Sequence, residues 1–348
     1  MTPVRLAMIG IDYPHARYRD TVRAIPGEVE IVAFYDPSPA KSRDLLHPSQ
    51  RDIPIYDDLA ALISEQHPEA AMVFLPNNVR PGVLSQLADA GIHLFGEKPV
   101  AASAGALAAT ADTIARNGVV FYPGYQWRLH PLVRTIKEIV DKGLLGDLTL
   151  IEFRYVTSSV TLRDPQHYLF SKEQSGGGFL NWLACHWFDL SRFITSHEVT
   201  SVMAFTENLS GEAIDVESAA AVAFRFDNGM LGTLNCGYVQ PRQADDAYLG
   251  LRGTLGWVEW PLFTLEASVT SLHPDWAPAA TRQLRYTVDQ VEGYGGAIGI
   301  ELLRHWIRAF RAGGPPLATI GDAMSALAII DAAYESSATG RRVDLPSR

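Results

Sequence analysis

The sequence predicts an α/β N-terminal domain of the Rossmann type, a parallel sheet wrapped by helices, followed by an α+β C-terminal domain with a large, mostly antiparallel sheet. Three observations carry this reading. Up to about residue 120, short apolar runs alternate with amphipathic stretches, the pattern of β-α-β crossovers. After Tyr125 the apolar runs lengthen and alternate with polar residues at every second position, as half-buried strands do. Finally, Asp227-Asn228-Gly229 stands between two β-rich runs, a strong hairpin signal.

The elements follow in order. "RLAMIG" is a first strand and "YRDTVRAI" the helix after it. "EIVAFYD" is a second strand ending on Asp36, and "PAKSRDLL" is helical. "IPIY" is a short strand, and "DDLAALISEQ" an amphipathic helix opened by an Asp cap. "AAMVFLP" is a buried strand stopped by Pro76, and "VRPGVLSQLADAG" a helix closed by Gly91. "IHLFGEKP" supplies a strand and its exit loop, "SAGALAATADTIARNG" a helix ended by Gly118, and "VVFYPGY" the last parallel strand. Beyond it lie the helix "PLVRTIKEIVDKG", alternating strands including a tight turn at "RGTLG", and the Ala-rich helix "GDAMSALAIIDAAYESSATG". The expected domains are therefore residues 1–123, binding a dinucleotide, and residues 124–348, binding substrate and forming the oligomer.

Composition narrows the function. With 348 residues, 47% hydrophobic and 20% charged, the chain reads as a soluble globular protein. A net charge of −10 without any Lys/Arg-rich run argues against a nucleic-acid partner. The two cysteines, Cys185 and Cys236, have no metal or redox spacing, which fits a reducing compartment. "MTPVRLAMIGI" lacks a signal-peptide pattern and no run approaches membrane-spanning length, so the expectation is a cytoplasmic protein with no membrane partner. No metal site is expected, since adjacent Cys185 and His186 do not converge on one helical site.

Ligands of open parallel sheets bind outside the carboxyl ends of the strands. The loop "GIDYPHA" keeps Gly10, but places Asp12 and His15 where G-x-G-x-x-G has its second and third glycines. Asp36 follows at the distance of a carboxylate that accepts from an adenosine ribose, and it would repel a 2′-phosphate, favouring NAD over NADP. The cofactor-binding set is Gly10, Ile11, Asp12, His15, Asp36, Pro76, Asn77, Glu97 and Lys98. Two readings of the loop stay open. It is a wider turn whose amides hold the pyrophosphate, with His15 or Arg17 offsetting Asp12, or it has lost affinity and keeps only the fold.

"GEKPVA", "GYQWRLHP", "SGGGFLNWLACHWFDLSRFI", "FRFDNGMLGTL" and the closing "GDAMSALAIIDAAYESSATGRRVDL" appear in this order over nearly the whole chain. Together they resemble the Gfo/Idh/MocA oxidoreductases, the glucose-fructose oxidoreductase and inositol dehydrogenase superfamily. The resemblance implies NAD(P)-dependent hydride transfer on a sugar, cyclitol or related polyol. It places Lys98 at the substrate hydroxyl and nicotinamide, and His186 as the group that moves the hydroxyl proton, a task suited to a base near neutral pKa. Asp189, one helical turn on, would orient His186. Trp127, Arg128, Trp182 and His186 would line the substrate cleft, with Tyr155, Trp187, His167 and Tyr168 ranked lower. One position departs from the family pattern: an aspartate usual four residues before the histidine is Trp182 here, and an indole cannot do a carboxylate's work. Two alternatives remain: net non-redox sugar chemistry with bound NAD, and a sensor that kept the fold without catalysis. A homodimer or homotetramer formed through the second domain is expected, because the open face of a large sheet needs covering.

Overall fold

The computed structural model describes residues 2–13 and 15–346, so Pro14 of the first loop lies outside the described residues. Two units emerge, Met1–Gln126 with Val288–Met324, and Trp127–Thr287 with Ser325–Arg348.

In the first unit, β1 (Val4–Ile9), β2 (Val29–Tyr35), β3 (Ile55–Tyr56), β4 (Ala70–Val73), β5 (His93–Gly96) and β6 (Phe121–Pro123) form a parallel sheet in the order β3-β2-β1-β4-β5-β6. Parallel neighbours need crossovers. These are supplied by α1 (Tyr18–Arg23), α2 (Pro39–Ser42), α3 (Leu59–Gln66), α4 (Arg80–Asp89) and α5 (Ala108–Arg116). Helices cover both faces, which is why β4 is buried at every position. Asp58 caps α3 by accepting from the amides of Ala60 and Ala61 at 2.8 and 3.3 Å, as its sequence position predicts. The order reverses between β1 and β4, and that switch point opens a crevice at the carboxyl edge.

In the second unit, β7 (Leu148–Ser158), β8 (Val199–Glu207), β9 (Ala219–Phe226), β10 (Leu231–Gln240), β11 (Asp246–Gly253), β12 (Gly256–Pro261), β13 (Glu266–Ser271), β14 (Thr281–Arg285) and β15 (Val343–Asp344) form one sheet. Its order is β14-β13-β12-β11-β7-β10-β9-β8-β15, antiparallel except where β7 pairs with β10. The hairpin at Asp227–Gly229 joins β9 to β10, with Gly229 at φ +88°. On one face α8 (Cys185–Thr195) packs on β7 and α6 (Pro131–Asp141) packs on α8, with α7 (Lys172–Ser175) preceding α8 in sequence. The other face is open. Along it Trp257, Leu150 and Leu231 lie in one row of paired residues, and Met203 and Phe205 lie on β8, beyond β9, all exposed.

Beside the expected single cut at residue 123, the contact units place residues 288–324 with the first unit. Here α9 (Gly296–Ala312), which the sequence reading did not identify, buries Leu302, Leu303, Trp306 and Ala309 along one stripe. Phe310 stacks on His93 with ring centroids 4.6 Å apart, and Trp306 meets Phe95 edge-on at 5.9 Å. Arg304 pairs with Glu28 and Arg311 with Glu69, each at 2.6 Å. Burial of that stripe, more than the ion pairs, makes α9 part of the first unit. The last helix, α10 (Ile320–Thr339), leads back into the second unit. No helix among the described residues is long and apolar enough to cross a membrane.

Candidate functional site

At the carboxyl edge of the parallel sheet, Gly10 makes the first turn at φ +92°, and a Cβ there would stand 2.8 Å from the Tyr13 ring. Asp36 is 3% exposed. One carboxylate oxygen accepts from the Ile11 amide at 2.9 Å and the other from the Ser38 amide at 2.8 Å. Asp36 thus binds the first loop to the end of β2, and each oxygen keeps a second lone pair for a ribose hydroxyl. Asp12 is exposed, so its charge remains in water.

His15 takes the left-handed conformation, φ +67°, at the third glycine's position. Its Nδ1 lies 2.8 Å from Glu97 Oε1, and its ring sits on Tyr294 at 4.3 Å. Burial lowers its pKa; Glu97 opposes the shift, while Lys98 and Arg80 add to it. Glu97, 2% exposed, keeps its second oxygen without a hydrogen-bond partner. Gly124 makes room for that carboxylate, since a Cβ there would lie 2.8 Å from Oε2. The hydroxyl of buried Tyr18 is also unbonded, and burial followed by the Glu97 charge pushes its pKa well up. Asn77 and Lys98 are each 1% exposed. Arg80, missed by the sequence reading, donates to the carbonyls of Leu75, Glu97 and Pro99, the bond to Glu97 being 2.6 Å. It ties the exit of β4 to the exit of β5, which carries Lys98.

These residues fit a dinucleotide. Asp36 offers buried lone pairs at the end of β2, and the second oxygen of Glu97 is a buried acceptor with no hydrogen-bond partner.

In the second unit, Gly176 to Gly178 lead into a π-helical turn over Leu180–Ala184 and then into α8. Such turns recur at functional sites. Buried Glu217 accepts from the amides of Gly178 and Leu180, both at 2.8 Å, and from the Tyr334 hydroxyl at 3.0 Å. Burial raises the Glu217 pKa against those hydrogen bonds. A Cβ on Gly177 would overlap the Tyr334 hydroxyl, and one on Gly178 the Glu217 carbonyl. His186 lies in the first turn of α8 and is 5% exposed; Trp182, in the π turn, is 8% exposed.

Two of the predicted site residues of the second unit meet each other. Arg128 grips Asp189 with a fork, Nε to Oδ2 at 3.0 Å and the other nitrogen to Oδ1 at 2.6 Å, and also lies over Phe193. The guanidinium and the carboxylate thus meet each other in a bidentate, charge-assisted pair. Both are buried, so each compensates the other's desolvation. Trp127 packs among Trp187, Trp260, Phe263 and His130. Burial pushes His130 down to about 4, which keeps its ring neutral beside these aromatics. Tyr155 touches Trp187 and Phe263 and also lines a polar cavity of about 390 Å³ with Thr157, Ser158, Arg163, Gln243 and Asp245. Burial, aided by Asp245, takes the Tyr155 hydroxyl to about 12.

Of the sequence-predicted residues, the first unit joins Ile11 to Asp36 and His15 to Glu97, while the second joins Arg128 to Asp189. Arg163 was missed, although "VTLRDP" directly after a strand is a place where a loop cation stands at a sheet edge.

Residues 4–125 match an oxidoreductase family described by its NAD-binding Rossmann fold, and residues 133–259 match the GFO/IDH/MocA C-terminal domain. D-apiose dehydrogenase of Paraburkholderia graminis is 25% identical over 98% of this chain and 89% of its own. The uncharacterized oxidoreductase YrbE of Bacillus subtilis is 26% identical, and its match spans about half of that relative, 52%, and 52% of this chain. A solved levoglucosan dehydrogenase in complex with NADH and levoglucosan superposes with a TM-score of 0.88 at 19% identity, over 99% of this chain and 100% of that one, and shows the shared fold.

Proposed function

Since the chain belongs to the GFO/IDH/MocA oxidoreductases, a family with an NAD-binding Rossmann fold, we propose that it moves hydride between NAD and a carbinol carbon of a sugar, cyclitol or related polyol. The observation that carries this is the buried Lys98, next to a Glu97 whose free oxygen awaits a donor, at the carboxyl edge of the parallel sheet. The names of the dehydrogenases of D-apiose and levoglucosan support a sugar-like substrate.

Bound NAD supplies the hydride acceptor. Gly10, Ile11 and His15, with the backbone amide of Asp12, would hold its phosphates, Asp36 its adenosine ribose, and Pro76, Asn77 and Glu97 its other half. Lys98 stabilises negative charge on the reacting oxygen as its proton leaves. The family resemblance supports His186 as the acceptor of a hydroxyl proton, at an imidazole nitrogen. Arg128 and Asp189 position α8, and so His186, from beneath, whereas Trp127 and Trp182 supply apolar surface for the carbon face of a sugar. The polar cavity around Arg163 and Tyr155 takes substrate hydroxyls.

Replacing Lys98 by Met tests the assignment. Expected is a fall in kcat of about 10²–10⁴-fold with NADH binding, followed by nicotinamide fluorescence, within a few-fold of wild type. Turnover that survives would remove Lys98 from the chemistry. Arg163→Ala is expected to raise KM with little change in kcat. The open sheet face with Leu150, Met203, Phe205, Leu231 and Trp257 is assigned to self-association, as homodimer or homotetramer. Light scattering on a Phe205→Asp variant checks this through a smaller particle mass.

A further inference from the structure

The cavity of about 390 Å³ beside the end of β7 has the size of a small-molecule site, about 300–1,000 Å³. Of its lining residues only Ala244 lacks a polar side chain. Arg163 is fixed there. Its Nε donates to the Ser158 carbonyl at 3.2 Å, and Nη2 donates to the hydroxyls of Ser158 and Thr157 at 3.0 and 3.4 Å. The guanidinium also lies over the Tyr238 ring, 4.8 Å from its centroid. These bonds use Nε and one of the two terminal nitrogens. Nη1 has no hydrogen-bond partner and the cation no ion pair among the described residues. A side chain held in this way has little rotamer freedom left to lose when a ligand arrives. Buried Ser158 accepts from Arg163 and keeps its own O–H for donation.

A half-buried cation tied only to neutral oxygens suits an anion better than a hydroxyl. The neighbouring carboxylates limit how large that anion's charge can be. Asp164 is exposed and accepts from the Gln166 amide at 3.0 Å. Asp245 lines the same cavity, near enough to the Tyr155 hydroxyl to raise its pKa, while Arg163 lowers it. One fixed positive and one fixed negative charge admit a monoanion on the cation and hydroxyl donors on the carboxylate. A phosphate monoester, about −1.5 to −2 at pH 7, would be repelled by Asp245.

We propose that the substrate is a polyhydroxy carboxylate, an aldonate or a uronate, whose carboxylate is held by Arg163 and Ser158 while its hydroxyls reach Asp245 and Gln243. The inference rests on the reading that the chain moves hydride between NAD and a sugar-like carbinol. It narrows that class and makes Arg163 the residue that selects for charge. The carboxylate itself is unchanged in the reaction: hydride and proton leave a carbinol elsewhere on the same molecule.

The test is NAD reduction by matched pairs, D-gluconate with D-glucitol, D-glucuronate with D-glucose and D-galacturonate with D-galactose, for the wild type, Arg163→Gln and Arg163→Lys. Calorimetric titration of the same compounds into the wild-type NADH complex reads binding without any variant. Expected in the wild type is an acid whose kcat/KM exceeds that of its neutral partner about 10–100-fold, with the difference in KM. Gln removes the charge and should bring that ratio to about one, whereas Lys keeps the charge without the planar fork and should retain part of it. Neutral compounds used as well as their acids by the wild type, or a ratio unaltered in Arg163→Gln, overturn the inference while the dehydrogenase reading stands. Absence of binding by every acid of the set does the same. Failure of the wild type to bind NADH overturns the dehydrogenase reading, and the inference with it.

Discussion

Two glycine-bearing turns lead into helices of this protein, and they have been treated differently. The turn after β1 keeps Gly10 and carries side chains at Asp12 and His15. The run Gly176–Gly178 before α8 keeps every glycine. In the second, the atoms that a Cβ would meet belong to the protein itself: the Tyr334 hydroxyl at Gly177 and the Glu217 carbonyl at Gly178. In the first, Asp12 points to solvent-accessible space and His15 has found Glu97. Where backbone must approach backbone, glycine is compulsory. Where backbone must approach a ligand, a side chain is admissible if it can bind that ligand or its neighbours.

The contrast is most easily broken at Gly178. Gly178→Ala pushes a methyl group into a fixed carbonyl, and we expect a loss of about 3 kcal/mol, read from the urea midpoint at unchanged m-value. A shift below about 0.5 kcal/mol would mean that the run is not packing-limited. Glu217→Gln should cost about 1–3 kcal/mol, because one amide group cannot accept from both backbone N–H groups. The wild type also makes a pH prediction. Burial lifts the Glu217 pKa above its ordinary 4.5, so the folded state holds that proton more tightly. Stability should therefore fall as pH rises from 4.5 through the raised value, and Glu217→Gln should flatten that slope. Gly10→Ala meets a left-handed backbone and a movable Tyr13 ring, for an expected cost of about 1–2 kcal/mol. Smallest is His15→Gly. It relieves a left-handed residue and loses the Glu97 hydrogen bond and the Tyr294 ring contact, opposing terms of about 1 kcal/mol each, so thermal unfolding should move little. A loss as large as that of Gly178→Ala would erase the distinction between the turns.

Local signals carried much of the fold. Apolar runs broken by Gly91 and Gly118, the Asp58 cap and the Asp227–Gly229 hairpin depend on residues within a few positions of each other, and each is found where periodicity and turn chemistry put it. The strands β8, β13, β14 and β15 and the helix α9 were not identified. What makes α9 part of the first unit is contact with Glu28, Glu69, His93 and Phe95, far away in sequence. The same holds at the sites. Strand-end position was enough to single out Asp36, Glu97 and His15, but not to foresee that His15 meets Glu97 or that Asp36 accepts from the Ile11 amide. That Arg128 would choose Asp189 over a ligand depends on how α8 lies, and Arg80 reads only as a polar residue before Pro81 until the carbonyls around it are known.

The return of α9 has a consequence for how the protein is made. The ribosome releases the six parallel strands first, then β7 to β14 of the second sheet, and only afterwards the helix that covers Phe95 and His93 and pairs Glu28 and Glu69. Until then the nascent Rossmann half has an apolar flank with no cover. Its maturation thus waits for nearly the last part of the message, and the interval is one in which a chaperone has a surface to hold.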